Sequence, residues 1–271
     1  MSRPSTPSDS GPTAATTGSA ASRLSERIAV AVVAKAPVPG RSKTRLVPPL
    51  TPEAAAALSA AFLRDTTENI VCAAGGAPLD PWVAYAPAGT EREFKGFVAE
   101  GTQFVLADGS GEVPPGIEGF GRCLYHAASA LLARGYRGVC LLNSDTPNLP
   151  TVILVEIGLE IKPGRILLGA TSDGGYYALG ITEAHPALFA GIEWSTSRVA
   201  AQTRAAAGRA GFARHELTRW FDVDDVRSLR RLLREMRIPP LDIFEFGRFP
   251  PVATAEAADR YGIEDLVRRA P

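Results

Sequence analysis

The chain has 271 residues, of which 45% are hydrophobic and 21% charged, with 29 basic and 29 acidic side chains. This composition is typical of a globular protein with enough apolar residues for a large core. The balanced charge and the lack of a long apolar run argue against a nucleic-acid or a membrane partner. Three cysteines without CxxC spacing argue against a disulfide framework or a structural zinc site, and they favour a reducing, cytoplasmic compartment.

The first residues, 1–26, are rich in Ser, Thr, Pro, Gly and Ala and contain almost no large apolar side chain. Such a segment cannot bury enough surface to offset the entropy lost on ordering, so we expect a disordered tail. The tail lacks the apolar stretch of a secretory signal. We expect one domain over residues 27–238 and a C-terminal extension over residues 239–271, which is irregular at first and has a short helix near its end.

Short apolar, β-branched runs alternate with segments of helical spacing along the chain. Strands are predicted over residues 28–34, 82–86, 103–106, 139–142, 166–170 and 176–180. Helices are predicted over residues 52–73, 90–97, 120–133, 151–161, 197–207 and 226–236. This alternation predicts a Rossmann-like α/β fold, with a mostly parallel sheet and helices on both faces. Ligands of such sheets bind beyond the carboxyl ends of the strands.

Four cations lie in and next to the loop that follows the first predicted strand. They are Lys35, Arg41, Lys43 and Arg45, and Gly40 stands among them. Backbone N–H groups and long cationic side chains in such a loop suit a polyphosphate. The alternative is a solvated loop, since Lys and Arg are usually exposed. The spacing matches neither GxxxxGK[ST] nor GxGxxG, which argues against a P-loop kinase and a dinucleotide oxidoreductase.

A polar segment with the sequence NSDTP, residues 143–147, follows the predicted strand 139–142 directly. A carboxylate at the end of an apolar strand is costly unless it meets a cation or hydrogen-bond donors. A Mg²⁺ or Mn²⁺ ion that bridges to substrate phosphates would be such a partner for Asp145, with Ser144 beside it as a candidate phosphate ligand. The alternative is a helix cap or Asx-turn ahead of Pro147.

Three acidic residues precede the last predicted helix of the domain. Asp225 is placed to cap the helix that starts at Val226. Asp222 and Asp224 alternate with Val223, and in an extended segment their side chains cannot both face the same way. One of the two is therefore a candidate for the second carboxylate of the metal.

The segment Asp173-Gly174-Gly175-Tyr176 leads into the last predicted strand and allows two interpretations. Two glycines can form a simple hairpin turn, or they can let a ligand approach the backbone closely. Asp173 could hydrogen-bond a hydroxyl group of the substrate. Trp194 is either a core residue or a stacking face for a sugar or another acceptor.

Five motifs carry a resemblance to a known family. They occur in the order KAPVPGRSKTRL at residues 35–46, SDTP at 144–147, DGGYY at 173–177, WST at 194–196 and DVD at 222–224. In this order they resemble a bacterial family of GT-A-type nucleotide-diphospho-sugar transferases, over about residues 28–236. Members are commonly labelled glycosyltransferases, including ones associated with arsenosugar biosynthesis. The superfamily also contains phospholactate and molybdenum cofactor guanylyltransferases.

The resemblance implies a GT-A nucleotide-binding transferase domain over residues 27–238. It implies that Lys43 and Arg45 bind phosphates, assisted by Lys35 and Arg41. With Asp145, Lys43 and Arg45 would form the catalytic set. The donor implied is a nucleotide sugar or an NTP.

The resemblance also implies that a divalent cation, Mg²⁺ or Mn²⁺, is held by Asp145, with Asp224 favoured over Asp222 as its second ligand. Residues 173–176 would line the sugar or acceptor side. Members usually carry a Gly-Glu-Arg segment in the helix before the Asp strand, where this chain has Gly-Arg-Cys at residues 121–123. If that Glu selects the substrate, this chain would take a different one.

The leading hypothesis is metal-dependent transfer of a glycosyl group from a nucleotide sugar to a small-molecule acceptor. The first alternative is nucleotidylyl transfer, in which a phosphorylated substrate attacks an NTP and pyrophosphate leaves. The second alternative is a non-catalytic nucleotide-binding protein. The proline-rich segment after Pro239 has no counterpart in the family and is a candidate dimer or acceptor element.

Overall fold

The computed structural model describes residues 23–238 and 248–270. The expected disordered tail lies outside the described residues up to residue 22, as does the start of the C-terminal extension, residues 239–247. Residues 23–26 form a turn in which the Arg27 N–H donates to the Leu24 carbonyl at 2.9 Å. Leu24 packs partly buried against the domain core, so the end of the predicted tail, residues 23–26, is packed against the domain.

The strands are β1 (Ile28–Lys35), β2 (Leu79–Ala86), β3 (Gln103–Leu106), β4 (Gly138–Asn143), β5 (Arg165–Ala170), β6 (Tyr176–Ile181) and β7 (Ala213–Glu216). The helices are α1 (Pro52–Ala73), α2 (Phe120–Ala133), α3 (Thr151–Glu160), α4 (Val199–Arg209), α5 (Val226–Met236), α6 (Val252–Arg260) and α7 (Ile263–Arg269). Within the described part of the chain, no helix is both long and apolar enough to cross a membrane.

The seven strands form one sheet in the order β3-β2-β1-β4-β6-β5-β7. All neighbours run parallel except β6, which is antiparallel to both β4 and β5. The predicted Rossmann-like α/β fold with a mostly parallel sheet is therefore confirmed. The carboxyl ends of β1 and β4 lie side by side at one edge of this sheet, because the two strands pair in parallel from Ile28 and Gly138 onward.

Helices cover both faces of the sheet, and β1 shows how its sequence divides between them. Ala29 and Ala31 point to the face covered by α2 and α4, whereas Val30 and Val32 point to the face covered by α1 and α3. All four side chains are fully buried. A strand that is buried on both faces has no polar alternation, and this explains the continuous apolar run in its sequence.

Four details differ from the sequence-based prediction, and each has a local cause. The polar edge strand β7 was missed because its segment, ARHE, is mostly exposed and has no apolar pattern. Strand β2 starts at Leu79 and includes Pro81, which is tolerated because β3 pairs with β2 only from Trp82 onward. The predicted helix over residues 90–97 is a single 3₁₀ turn, Glu91–Phe94. The C-terminal extension contains two helices, α6 and α7, rather than one short helix.

A third apolar cluster joins the C-terminal extension to the domain. It is built from α1, α5, α6 and α7 around Phe62, Leu229 and Ile263, all of which are fully buried. The described part of the extension therefore shares a core with the α/β domain.

A buried carboxylate adds a polar link at the same place. Asp65 of α1 is fully buried and accepts hydrogen bonds from the backbone N–H groups of Ala253 (2.9 Å) and Thr254 (2.8 Å), and from the Thr254 hydroxyl. The residue before α6 is Pro251, whose side chain has no capping group. Asp65 thus satisfies the free N–H groups at the start of α6 from a different helix.

We expect Asp65→Ala to lower the free energy of unfolding by about 2–4 kcal/mol, since it leaves two buried N–H groups of α6 without acceptors. Urea denaturation of the purified protein measures this. The matched control is Glu256→Ala, an exposed carboxylate on α6 itself, which should change the free energy by less than about 0.5 kcal/mol. Equal effects of the two variants would contradict the capping role.

The same carboxylate predicts a pH dependence of stability. Burial raises the pKa of Asp65 from 3.8 to about 6, against the opposing hydrogen bonds from Thr254 and Ala253. The folded protein then holds this proton more tightly than the unfolded chain does. The resulting stabilisation is complete below about pH 4 and is lost as the pH rises through 6, with a total of about 3 kcal/mol.

The difference in unfolding free energy between the wild type and Asp65→Asn isolates this contribution, since Asn does not titrate. We expect the unfolding free energy of the wild type to fall relative to that of Asp65→Asn as the pH rises from 4 to 7. A difference that stays constant over this range would show that Asp65 has the same pKa in the folded and unfolded states.

Candidate functional site

A cleft of about 540 Å³ opens at the carboxyl ends of β1 and β4. Its lining contains twelve of the fourteen residues that the five sequence motifs single out: Lys35, Arg41, Lys43, Arg45, Ser144, Asp145, Asp173, Gly175, Tyr176, Trp194, Asp222 and Asp224. Gly40 and Gly174 lie outside the lining. The parallel pairing of β1 with β4 accounts for the meeting of the basic loop and the Asp145 segment, which are far apart in sequence.

Lys43 lies at the centre of the charged part of the cleft. Its Nζ lies 2.8 Å from Oδ1 of Asp145 and 3.4 Å from Oδ1 of Asp224, and it donates to the Val223 carbonyl at 2.6 Å. Its backbone is in the left-handed region, at φ 48° and ψ 40°, directly before the 3₁₀ turn Thr44–Leu46. A non-glycine residue keeps such a conformation only where its surroundings fix it.

Asp145 is held in a tight turn after β4. The Asn143 side-chain oxygen accepts from the Asp145 N–H at 3.3 Å and from the Thr146 hydroxyl at 3.1 Å. The Ser144 hydroxyl donates to Oδ1 of Asp145 at 3.0 Å. The Asp145 carbonyl accepts from the Val223 N–H at 2.9 Å, which ties this turn to the segment before α5. The Asx-turn, which was the alternative interpretation of this segment, is therefore present. The Asp145 carboxylate faces the cleft as well.

The expectation that only one of Asp222 and Asp224 faces the cleft is wrong, because both line it. The reason is that this segment is not part of a strand, so the alternation of side chains in extended chain does not apply. Val223 is fully buried between them. Asp225 caps α5 as predicted, with its Oδ1 accepting from the Ser228 N–H at 2.7 Å.

The carboxylates of the cleft are close enough to affect one another's protonation. Burial, together with the charges of Asp173, Asp224 and Asp145, raises the pKa of Asp222 to about 7. Burial and the neighbouring Asp145 charge also raise the pKa of Asp224, while Lys43 opposes the rise. The closeness of these carboxylates to one another favours a bound cation at this point.

The donor set of the cleft fits a hard divalent cation. Within residues 23–238 and 248–270, no group of three or more His, Cys, Asp or Glu side chains is placed to hold a metal ion by itself. Mg²⁺ commonly takes one or two carboxylates and completes its shell with substrate phosphates and water. Asp145 and Asp224 both contact the ammonium of Lys43, so their carboxylates converge on one point and supply such a pair.

The glycine segment forms the wall opposite the basic loop. Gly174 has φ +95°, and a Cβ there would lie 2.0 Å from the Ser197 carbonyl oxygen. The Gly174 carbonyl accepts from the Ala200 N–H at 3.0 Å. The segment that closely approaches the backbone at Gly174 is therefore the chain just before α4. Oδ1 of Asp173 accepts from the Gly175 N–H at 3.0 Å and from the Thr171 hydroxyl, which fixes the carboxylate at the cleft.

Three aromatic side chains form the remaining wall. Trp194 packs edge to face against Phe120, with ring centroids 5.8 Å apart, and against Tyr176 at 6.4 Å. Trp194 also packs partly buried against two of the apolar clusters, so it is both a core residue and a cleft residue. The Tyr176 hydroxyl is buried and has no hydrogen-bond partner within the described part of the chain.

The segment that departs from the family pattern has a structural role here. A Cβ at Gly121 would lie 2.7 Å from Nε1 of Trp194, so the absence of a side chain makes room for the indole ring. Arg122 donates to the carbonyls of Gly109 (3.0 Å) and Gly111 (3.2 Å) and holds that loop against α2. None of residues 121–123 lines the cleft.

Some lining residues were missed by the sequence analysis. Phe120 lies at the start of α2 and has an exposed ring, 46% accessible, and the sequence analysis gave it no role beyond the helix predicted over residues 120–133. Ser195, which has φ +62°, could not be identified as a lining residue from the sequence. The same holds for Ser59, which lies on the apolar helix α1. Asn143 was part of a quoted motif but received no role.

Comparisons with known proteins agree with this architecture. Residues 70–196 match the bacterial family DUF2064, described as "Uncharacterized protein conserved in bacteria". A crystal structure from Desulfovibrio desulfuricans G20, assigned as a nucleotide-diphospho-sugar transferase, has a TM-score of 0.71 and 25% identity, covering 89% of this chain and 97% of that one. No curated protein matches the sequence.

Two further structures are less similar in shape and add nothing to the functional argument. A protein of Mycobacterium tuberculosis H37Rv has 21% identity and a TM-score of 0.45, covering 77% of this chain and 97% of that one. A CMP:2-keto-3-deoxy-manno-octonic acid synthetase complexed with CTP has 11% identity and a TM-score of 0.43, covering 78% of this chain and 98% of that one.

The DUF2064 match and the Desulfovibrio structure confirm the resemblance to a bacterial family of GT-A-type nucleotide-diphospho-sugar transferases. They agree with the predicted class of nucleotide-dependent transferase. The link to arsenosugar biosynthesis stays a prediction.

We expect Gly174→Ala to destabilise the protein by at least about 2 kcal/mol, since it adds a backbone clash to the strain of a positive φ. The matched control is Gly164→Ala, at φ +72° with no atom within 4 Å of the new Cβ. The control carries only the conformational strain, of about 1 kcal/mol. Thermal unfolding of both variants tests this, and equal losses would show that the Ser197 contact does not require glycine.

Proposed function

We propose that this protein transfers a glycosyl group from a nucleotide sugar to a small-molecule acceptor with the help of Mg²⁺ or Mn²⁺. The observation that supports this most is the meeting of the Asp145 and Asp224 carboxylates with a cationic loop and an aromatic wall in one cleft. The Desulfovibrio protein that shares the fold is itself assigned as a nucleotide-diphospho-sugar transferase.

The cations of the loop suit the diphosphate of the donor. Lys35, Arg41 and Arg45 are exposed and line the cleft. Arginine meets phosphate oxygens through two parallel N–H groups, which fixes the orientation of the donor as well as neutralising its charge. Positive groups at this place stabilise the diphosphate as negative charge develops on it during transfer.

Asp145 and Asp224 are the residues that would hold the divalent metal. When bound, the metal would act as a Lewis acid toward the phosphate oxygens. Asp222, whose pKa burial raises to about 7, would serve as a hydrogen-bond donor when protonated and as an acceptor when ionised. The protein residues would position the donor.

The opposite wall suits the sugar and the acceptor. Asp173 is fixed by two donors on Oδ1, and its carboxylate can accept hydrogen bonds from sugar hydroxyls. Trp194 offers an aromatic edge beside Phe120, and rings of this kind pack against the apolar face of sugars. The buried Tyr176 hydroxyl adds a hydrogen-bond donor near this wall.

Nucleotidylyl transfer is the second candidate, and the number of exposed cations is compatible with it. Three exposed cations around one cleft match a triphosphate as well as a diphosphate. Its product would be pyrophosphate from an NTP and a phosphorylated substrate, whereas glycosyl transfer releases a nucleoside diphosphate. A purely binding role receives less support, because the carboxylates that would hold the metal are present and converge.

The cysteines support a reducing, cytoplasmic compartment for this activity. Cys72, Cys123 and Cys140 are all free thiols, and burial raises the pKa of Cys140 to about 12. A thiol with such a pKa is unreactive at neutral pH.

We expect one NDP-sugar to raise the melting temperature of the wild type in the presence of Mg²⁺ or Mn²⁺, and Asp145→Asn to remove the metal-dependent part of that rise. Binding at a ~100-fold excess over Kd stabilises the native state by about 2.7 kcal/mol. A thermal-shift screen against NTPs and NDP-sugars, with and without each metal, measures this.

The control for that screen is Asp259→Asn, an exposed carboxylate on α6, which should keep the full shift. A shift with an NTP alone, followed by pyrophosphate release, would replace the glycosyl proposal with the nucleotidylyl one. The absence of any shift would refute both.

A further inference from the structure

The ammonium of Lys43 differs from the other cations of its loop in being enclosed. Its side chain is 7% exposed, compared with 72% for Arg45. Its ammonium donates to the Val223 carbonyl and to the Asp224 carboxylate, and it forms an ion pair with the Asp145 carboxylate. The ring of Phe62 lies 5.3 Å from the same Nζ and closes the fourth side. The group is therefore fully partnered within the protein and is not directed at solvent.

The two carboxylates that the ammonium contacts are the same two that the proposed function assigns to the metal. Mg²⁺ binds carboxylate oxygens at about 2.0–2.1 Å and demands near-octahedral geometry. An ion at that distance from Asp145 and Asp224 would lie only a few ångströms from Nζ. Two cations so close in a partly buried site repel strongly, because little water screens them.

We propose that Lys43 occupies the metal position in the ligand-free protein, and that the divalent cation and the ammonium exchange places when the nucleotide binds. The ammonium then leaves Asp145 and Asp224 for the phosphates, and the cation takes the two carboxylates. This inference rests on the proposed function, since it concerns the same cleft and the same class of ligand.

The exchange couples the two ligands. Metal alone binds weakly because it must displace a buried ammonium from the carboxylates that partner it. A nucleotide phosphate supplies a new anion for that ammonium, so metal and nucleotide each raise the affinity for the other by the same factor.

We expect Lys43→Met to bind Mn²⁺ in the absence of nucleotide about tenfold more tightly than the wild type does, within the usual range of coupling between sites. Methionine keeps most of the length of the stem and removes the charge. Electron paramagnetic resonance of free Mn²⁺ measures the affinity. The matched control is Arg41→Met, an exposed cation of the same loop, which should change the affinity by less than about threefold.

An affinity of Lys43→Met equal to or below that of the wild type would overturn the exchange. An equal rise in Arg41→Met would also overturn it, because the effect would then be one of net charge alone. Circular dichroism and the unfolding temperature establish that each variant is folded.

A second measurement uses the wild-type protein and does not depend on the variant. The chain has only four lysines, so a ¹⁵N spectrum of the side-chain ammonium groups is simple. We expect one slowly exchanging signal, from Lys43, since Lys35, Lys95 and Lys162 are exposed or partly so. It should shift when Mg²⁺ is added together with ADP, CDP, GDP or UDP, each tested in turn, and stay in place with Mg²⁺ alone at the same concentration.

No protected signal, or a protected signal that is unchanged at saturating Mg²⁺ and nucleotide, would overturn the exchange while leaving the proposed function intact. Failure of the proposed function would give a different experimental result. In that case none of the four nucleotides binds, and neither the wild type nor Lys43→Met binds Mn²⁺ more tightly in their presence.

Discussion

The cleft depends on one buried positive charge placed among several negative ones. Lys43 joins the loop after β1 to the turn after β4 and to the segment before α5, through contacts of 2.6–3.4 Å. Without a cation at this point, the like charges of Asp145 and Asp224 would repel each other at short range. Burial and the neighbouring carboxylate charges raise the pKa values of Asp222 and Asp224, although Lys43 opposes the rise at Asp224. Carboxylates in such an arrangement favour a further cation, as the proposed function requires.

The sheet creates this meeting point by its order of strands. β1 and β4 are neighbours and parallel, so their following loops emerge at the same edge. β6 runs the other way and begins at this edge, which brings Tyr176 and the glycine segment to the cleft from the opposite direction. The third apolar cluster then packs α5 and the C-terminal helices against α1. The segment carrying Asp222 and Asp224 is thereby fixed between the sheet and that cluster.

The sequence allowed the central strands and the motifs after them to be predicted, because strands buried on both faces are continuous apolar runs. Strand β7 could not be found, since an exposed polar edge has no such run. It could not be predicted which of the four cations turns inward, because the residue type does not indicate the left-handed backbone at Lys43. Phe120 follows the helical apolar pattern and yet lines the cleft, so periodicity alone does not distinguish it from the core positions of α2.

Lysine and arginine occupy different positions in the basic loop, and the chemistry of each residue type suits its position. Lysine is a compact charge on a flexible stem, so one side chain can serve a carboxylate pair and a phosphate in turn. Arginine has a planar group that binds two oxygens in a fixed geometry, and Arg41 and Arg45 stand on the exposed side, where a phosphate would arrive. An arginine at position 43 would need to satisfy five donors in a space that offers three acceptors to the ammonium. The enclosed position therefore favours lysine on grounds of geometry as well as charge.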